Sequence, residues 1–69
     1  MKYIVIELQT NNDGTVGVIS NSYDSRQEAE RQYHLILAAA ATSSVKIHSA
    51  LLLTPDGKVL MNEHYSHGS

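Results

Sequence analysis

Two Asp-Gly turns divide this sequence, and each lies between two stretches of apolar residues that have the character of β-strands. Asp13-Gly14 follows the alternating segment from Lys2 to Thr10, and Pro55-Asp56-Gly57 lies between segments rich in Leu and Val. Proline presets the φ angle of a turn, and glycine accepts the positive φ that such turns require. Strand segments on both sides of a turn of this kind are typical of a β-hairpin. The sequence therefore predicts two hairpins.

One helical segment connects the two hairpins. Ser25 and Glu28 fit a capping box, with Asp24 as the alternative N-cap, and strong helix formers continue from Arg26 to about Ala41. Apolar residues recur at helical spacing and should face the sheet: Ala29, Tyr33, Ile36, Leu37 and Ala40. The predicted fold class is α+β, arranged ββαββ, with one helix packed on a four-stranded antiparallel sheet.

Loop length sets the register of the first hairpin. A three-residue loop, 12–14, pairs Asn11 with Thr15 and Leu8 with Val18. A two-residue loop would shift the pairing by one and distribute the apolar side chains over both faces. Because one face has to form the core, the longer loop is expected.

The second hairpin is expected to pair Thr54 with Lys58, which places Leu51 opposite Met61. Together with the first hairpin and the helix, this register predicts one shared core. Its expected members are Ile4, Ile6, Leu8, Val16, Val18, Tyr33, Leu37, Ile47, Leu51, Leu53, Val59 and Met61.

Length and composition exclude several classes of protein. The chain has 69 residues, no cysteine, a net charge of −2 and no run of basic residues. Such a length makes one domain, here residues 1–66, with 67–69 as a frayed tail. Without a basic surface we expect no nucleic-acid binding, and no segment reaches the ~20 apolar residues of a membrane span. The absence of cysteine and of an export signal predicts a cytoplasmic protein.

No constellation of reactive residues predicts catalysis or cofactor binding. The histidines are His34, His48, His64 and His67, and neither cysteine nor a compact carboxylate group completes a metal shell with them. His48 and Ser49 are neighbours on a strand, so their side chains point to opposite faces and cannot act together. We expect no catalytic, cofactor-binding or metal-binding residues.

Nearly the whole chain resembles a group of short proteins of bacterial prophages and mobile elements, for which no activity is established. The resemblance rests on three stretches: Met1 to Asn11 with Asp13 to Gly17, Tyr33-His34 before Ala38 to Ala41, and Leu52 to Thr54 before Asp56-Gly57. These stretches are strand, helix and turn signatures. The resemblance therefore implies an accessory protein of such an element, and it carries over no functional residue.

The face of the predicted sheet opposite the helix also carries apolar residues, which indicates a covered surface. A domain of this size has a thin core and no disulfide, so association with a second copy is the remaining means of stabilisation. We expect a homo-oligomer, most simply a two-fold dimer. The residues expected at the interface are Tyr3, Val5, Ile19, His48, Ala50, Leu52 and Leu60.

The predicted function is therefore that of a non-enzymatic accessory protein, related to a phage or mobile element, that self-associates through the sheet face. The alternative is a small-ligand-binding or inhibitor protein whose site lies at an oligomer interface. An unidentified protein partner is compatible with both. A concave site lined by Tyr3, His48 or Tyr65 would favour the ligand alternative, and a flat closed interface would favour the structural one.

Overall fold

The helix and the strands follow one another in the predicted order. The computed structural model describes residues 2–67. They form the strands and the helix β1 (Tyr3–Thr10), β2 (Val16–Tyr23), α1 (Arg26–Ala41), β3 (Ile47–Leu53) and β4 (Val59–Ser66). All pairings are antiparallel, and the order across the sheet is β2-β1-β3-β4. The predicted α+β fold is confirmed, with β1 and β3 at the centre of the sheet.

The first hairpin has the predicted three-residue loop. The Asn11 backbone N–H donates to the Thr15 carbonyl over 2.8 Å, and Leu8 pairs with Val18. Gly14 has a φ of +91°, which is strained for a residue with a side chain. The Asp13 carboxylate accepts from the Thr15 hydroxyl over 2.7 Å and from its N–H over 3.0 Å, so the loop is held by a side chain as well as by the backbone.

The second hairpin begins as predicted and then departs from the predicted register. The Thr54 N–H donates to the Lys58 carbonyl over 2.9 Å, as expected. A β-bulge follows, because Leu53 pairs with Val59 but Leu52 pairs with Met61. Leu60 is the extra residue, and both Leu60 and Met61 pack against the core. The predicted pairing of Leu51 with Met61 is therefore wrong, because a bulge shifts every later pair by one residue.

The helix begins after Ser25, the predicted N-cap. Ser25 is the N-cap, and its hydroxyl oxygen accepts from the Glu28 N–H over 3.4 Å. Four of the five residues expected to face the sheet are buried, namely Ala29, Tyr33, Leu37 and Ala40. The fifth, Ile36, is half-buried against the same cluster.

The helix covers the face of the sheet that was predicted to be open. Val5 is 3% exposed and Leu52 is fully buried, and with Ala50 they form the sheet side of the core. Of the predicted core, Tyr33, Leu37 and Met61 belong to this cluster. The other predicted core residues lie on the opposite, uncovered face: Ile4, Ile6, Leu8, Val16, Val18, Ile47, Leu51, Leu53 and Val59.

The covered face follows from how α1 crosses the sheet. β2 and β3 are both antiparallel to β1, so they run parallel to each other, and β2–α1–β3 is a crossover connection. Such connections are right-handed in nearly all proteins, so the strand order selects one face for the helix. The selected face carries the small residue Ala50, fully buried beneath the helix, and a small residue at this position allows close approach of helix and sheet.

The chain after β4 is held against the rest of the domain. The His67 N–H donates to the Lys46 carbonyl over 2.7 Å, and its Nε2 atom lies 2.7 Å from the Ala40 carbonyl oxygen. His67, the first residue of the predicted frayed tail, is therefore hydrogen-bonded to the rest of the domain. The other two residues of the predicted tail, 68 and 69, lie outside the described residues.

Candidate functional site

Within residues 2–67 no layer covers the sheet face opposite α1, which is here called the open face. Directly paired residues of antiparallel strands point to the same side. Leu8 lies between Val18 and Ser49 in this way, and Ile6 lies opposite Leu51. The aliphatic side chains on the open face are Ile4, Ile6, Leu8, Val16, Val18, Ile47, Leu51, Leu53 and Val59.

Within the four strands the open face carries no Asp, Glu, Lys or Arg side chain. The strand carboxylates, Glu7 and Glu63, both pair with Ala50 and so lie on the helix side. Lys2 and Asp24, which flank β1 and β2 at one end of the sheet, form an ion pair. Lys2 holds the pKa of the Asp24 carboxyl below its usual value through a hydrogen bond and its positive charge. The open face is therefore a neutral surface.

Apolar and polar side chains occupy different parts of the open face. Most of the aliphatic side chains belong to the central strands, where their neighbours leave them half-buried. Val18, on the edge strand β2, is 63% exposed. The polar members are mostly on the two edge strands: Thr10, Ser20, Ser22, Ser49, Asn62, His64 and Ser66. An apolar centre with a polar rim is the usual composition of a protein–protein interface.

The residues predicted to form the interface are not on the open face. Four of them are buried beneath α1, namely Val5, His48, Ala50 and Leu52. Two more, Tyr3 and Leu60, pack against the core. Ile19 is 53% exposed, but it lies on the helix side of the edge strand β2. The sheet does have an apolar face opposite the helix, but the residues assigned to it lie on the helix side, because the two faces are exchanged relative to the prediction.

A buried polar group lies on the helix side of the sheet. The Nε2 atom of His48 is 2.5 Å from Oε2 of Glu7, and the Gln9 amide donates to the same carboxylate oxygen over 2.8 Å. Nδ1 of His48 is buried and has no hydrogen-bond partner among the described residues. Glu7 is two residues from Val5 on β1, so alternation alone puts it on the face to which Val5 and His48 were assigned. The contact between Glu7 and His48 depends on the pairing of β1 with β3, for which the sequence carries no signal. The pair ties the two central strands together.

The remaining histidines lie on three other parts of the domain. His34 lies on the helix, where its ring packs edge-on against the Tyr33 ring with the two ring centroids 5.3 Å apart. His64 lies on the open face. The His67 ring stacks on the Tyr65 ring with a centroid separation of 6.4 Å. Among residues 2–67 no group of three or more possible metal ligands occurs. Burial, and then the charge of Glu63, raise the pKa of the Tyr33 hydroxyl.

Comparison with known proteins adds no further site. No protein-family model, curated protein or solved structure matches this chain. In the part of the chain that the structure describes, no helix is long and apolar enough to cross a membrane, and no pocket is present. The open face is thus the surface of this domain that most calls for a functional explanation.

Proposed function

We propose that this protein is a non-enzymatic accessory protein that self-associates through its open face, most simply as a two-fold dimer. The observation that carries the proposal is the neutral, aliphatic centre of the open face. Exposed apolar patches of this kind mark interaction sites more often than they occur by chance. In the dimer the two sheets would pack face to face, about 10 Å apart, with the helices on the outside.

A second copy is the partner that this surface fits best. The open face has no Asp, Glu, Lys or Arg with which to select a charged partner. A two-fold axis through its centre would bring the aliphatic residues of both copies together and leave most of the polar residues, including His64, at the rim. The same patch serves both subunits in such an interface, and this is the commonest symmetry of homo-oligomers.

The size of the open face approaches that of a stable dimer interface. Its strands have seven or eight residues. With spacings of about 3.3 Å along and 4.8 Å between strands, the sheet covers on the order of 500 Å² in projection. Protruding side chains increase the accessible area above the projection, and a standard interface buries about 800 Å² on each partner. Association would also supply the layer that a one-helix domain lacks.

The biological setting in this proposal comes from the sequence resemblance. The resemblance to short proteins of prophages and mobile elements supports an accessory role in such an element. For the ligand-binding alternative, the residues expected to line a shared site included Tyr3 and His48. Both lie on the helix side of the sheet, as does Tyr65, so these residues do not line the open face.

The test is the solution mass, measured by light scattering, of the native chain and of Leu51→Lys at high micromolar concentration. Leu51 lies near the centre of the open face, where a lysine would have to be buried in the interface. We expect the native assembly to be at least a dimer and the Leu51→Lys variant to have a clearly smaller mass. Leu35→Lys is the matched control, because Leu35 is an exposed leucine on the helix, and it should leave the mass unchanged. A native monomer, or an assembly that Leu51→Lys does not change, would contradict the proposal.

A further inference from the structure

The two edges of the sheet differ in their protection against pairing with another strand. Edge strands are normally protected by charged residues, proline or a β-bulge. The β4 edge has a bulge at Leu60 and carries Glu63. The β2 edge, Val16–Tyr23, has no charged residue, no proline and no irregularity in its pairing, and all of its residues before Tyr23 are exposed. The β2 edge is therefore open to pairing.

The free backbone groups of the β2 edge follow from the register of the first hairpin. The Asn11 N–H bonds to the Thr15 carbonyl, and hydrogen-bonded and non-bonded pairs alternate along antiparallel strands. Residues 17, 19, 21 and 23 of β2 therefore bond to β1. The N–H and C=O groups of Val16, Val18, Ser20 and Ser22 point away from the sheet, and they form a complete set of positions for one more strand.

We propose that the β2 edge pairs with the β2 edge of a second copy, antiparallel and about a two-fold axis at Ile19. In this register Val18 pairs with Ser20 of the other copy, and Val16 pairs with Ser22. The backbone N–H and C=O groups of all four residues point away from their own sheet, so this register forms about eight hydrogen bonds between the two β2 strands. The two four-stranded sheets become one continuous sheet of eight strands.

The side chains of β2 fit this self-pairing. Ile19, half-exposed on the helix side, meets its own copy at the axis, which is a favourable apolar cross-strand pair. No charged residue lies in the strand, so the antiparallel arrangement brings no like charges together. Val16 and Val18 would extend the aliphatic surface of the open face across the junction. A second copy is therefore the strand that matches this edge in register, charge and side-chain character.

The edge contact is independent of the proposed open-face contact, because one uses backbone groups at the rim and the other uses side chains at the centre. Together the two contacts predict an assembly of four chains, or an open chain of copies, rather than a dimer. Each contact alone predicts a dimer.

The experiment uses Ser20→Pro, which removes one outward N–H. Proline is tolerated on edge strands where the N–H faces solvent, so the bonds to β1 are retained. Ser20→Ala is the matched control, because it removes the same hydroxyl and keeps the N–H. Masses are measured by light scattering for these chains, for Leu51→Lys, and for Leu51→Lys with Ser20→Pro. We expect assemblies of four or more chains for the native protein and for Ser20→Ala. Leu51→Lys and Ser20→Pro should each give an assembly of two chains, and the double variant should be a single chain.

The other outcomes separate the two contacts. If the native protein is a dimer that Leu51→Lys dissociates and Ser20→Pro does not, the edge proposal is wrong and the open-face proposal stands. If Ser20→Pro dissociates the native dimer and Leu51→Lys does not, the edge proposal stands and the open-face proposal is wrong. A native monomer would contradict both proposals.

Amide hydrogen exchange of the native chain tests the edge without any variant, should Ser20→Pro fail to fold. The Val18 and Ser20 amides should exchange at least about tenfold more slowly in the assembly than after dilution to single chains. Equal exchange in both states would show that the β2 edge remains unpaired.

Discussion

The imidazole Nε2 of His48 lies 2.5 Å from the carboxylate Oε2 of Glu7, on neighbouring central strands beneath α1. The His48 side chain is 5% exposed and that of Glu7 is 18% exposed. Because the pair is buried, removing one partner should lower the free energy of unfolding more than replacing both, since an unpaired buried polar group loses hydration without compensation.

This relationship predicts a non-additive pair of substitutions. Glu7→Leu leaves both His48 ring nitrogens without a partner and should lower the free energy of unfolding by about 1–3 kcal/mol. Adding His48→Leu removes the unpaired group, so the double variant should lose clearly less than the sum of the two single variants. Urea unfolding of the four chains measures this coupling, and strictly additive losses would show that the contact does not stabilise the fold.

Adjacent leucines on β3 provide a test of which sheet face is covered. Leu52 is fully buried beneath α1, so Leu52→Ala should cost about 2–5 kcal/mol of unfolding free energy. Leu51 is on the open face and half-buried, so Leu51→Ala should cost less than half as much in dilute solution, where association contributes least. Urea unfolding at low protein concentration compares the two. A larger loss at Leu51 would mean that the helix covers the other face.

The turn of the second hairpin predicts a purely conformational cost. Gly57 has a φ of +93°, and a Cβ added there would meet no atom within 4 Å. Gly57→Ala should therefore lower the unfolding free energy by about 1–2 kcal/mol through backbone strain alone. Gly17→Ala is the control, because Gly17 lies in a strand and its added Cβ would make only an ordinary contact of 3.9 Å with the Gln9 carbonyl oxygen. Equal losses in urea unfolding would contradict the strained geometry at Gly57.

The two turn aspartates predict a stability loss in acid. The Thr15 hydroxyl donates to Asp13 and lowers its carboxyl pKa, and the Thr54 hydroxyl does the same for Asp56. A carboxyl whose pKa is lower in the folded state stabilises the fold above the unfolded-state pKa of about 3.9 and loses this contribution as the pH falls through the folded-state value. The native chain should therefore lose stability below about pH 4.

The comparison that isolates this effect is the double variant Asp13→Asn with Asp56→Asn. Between about pH 5 and pH 2, the urea concentration at the midpoint of unfolding should fall less for this double variant than for the native chain, because the turn side chains of the variant no longer titrate. All other carboxyls are common to both chains and cancel in the difference. Parallel curves for the two chains would show that these turns do not contribute to the acid response.

Local signals in the sequence predicted most of the secondary structure. The Ser25 cap, the positive φ at Gly14 and Gly57 and the three-residue loops depend on a few neighbouring residues, and they were predicted correctly. The buried stripe of α1 was also predicted, because helical spacing leaves only one apolar face. The Leu60 bulge was missed, since it depends on how β4 packs against the rest of the sheet.

The sequence by itself determined two hairpins, one helix and a sheet with two apolar faces. Only the tertiary structure decided which face the helix covers, and with it the residues of the open face. Period-two alternation places Ile6 and Leu51 on one face and Val5 and Leu52 on the other, and both sets are apolar enough to form a core. The choice depends on the strand order β2-β1-β3-β4 and on the handedness of the β2–α1–β3 crossover. Both are relationships between distant segments, and no local pattern of residues specifies them.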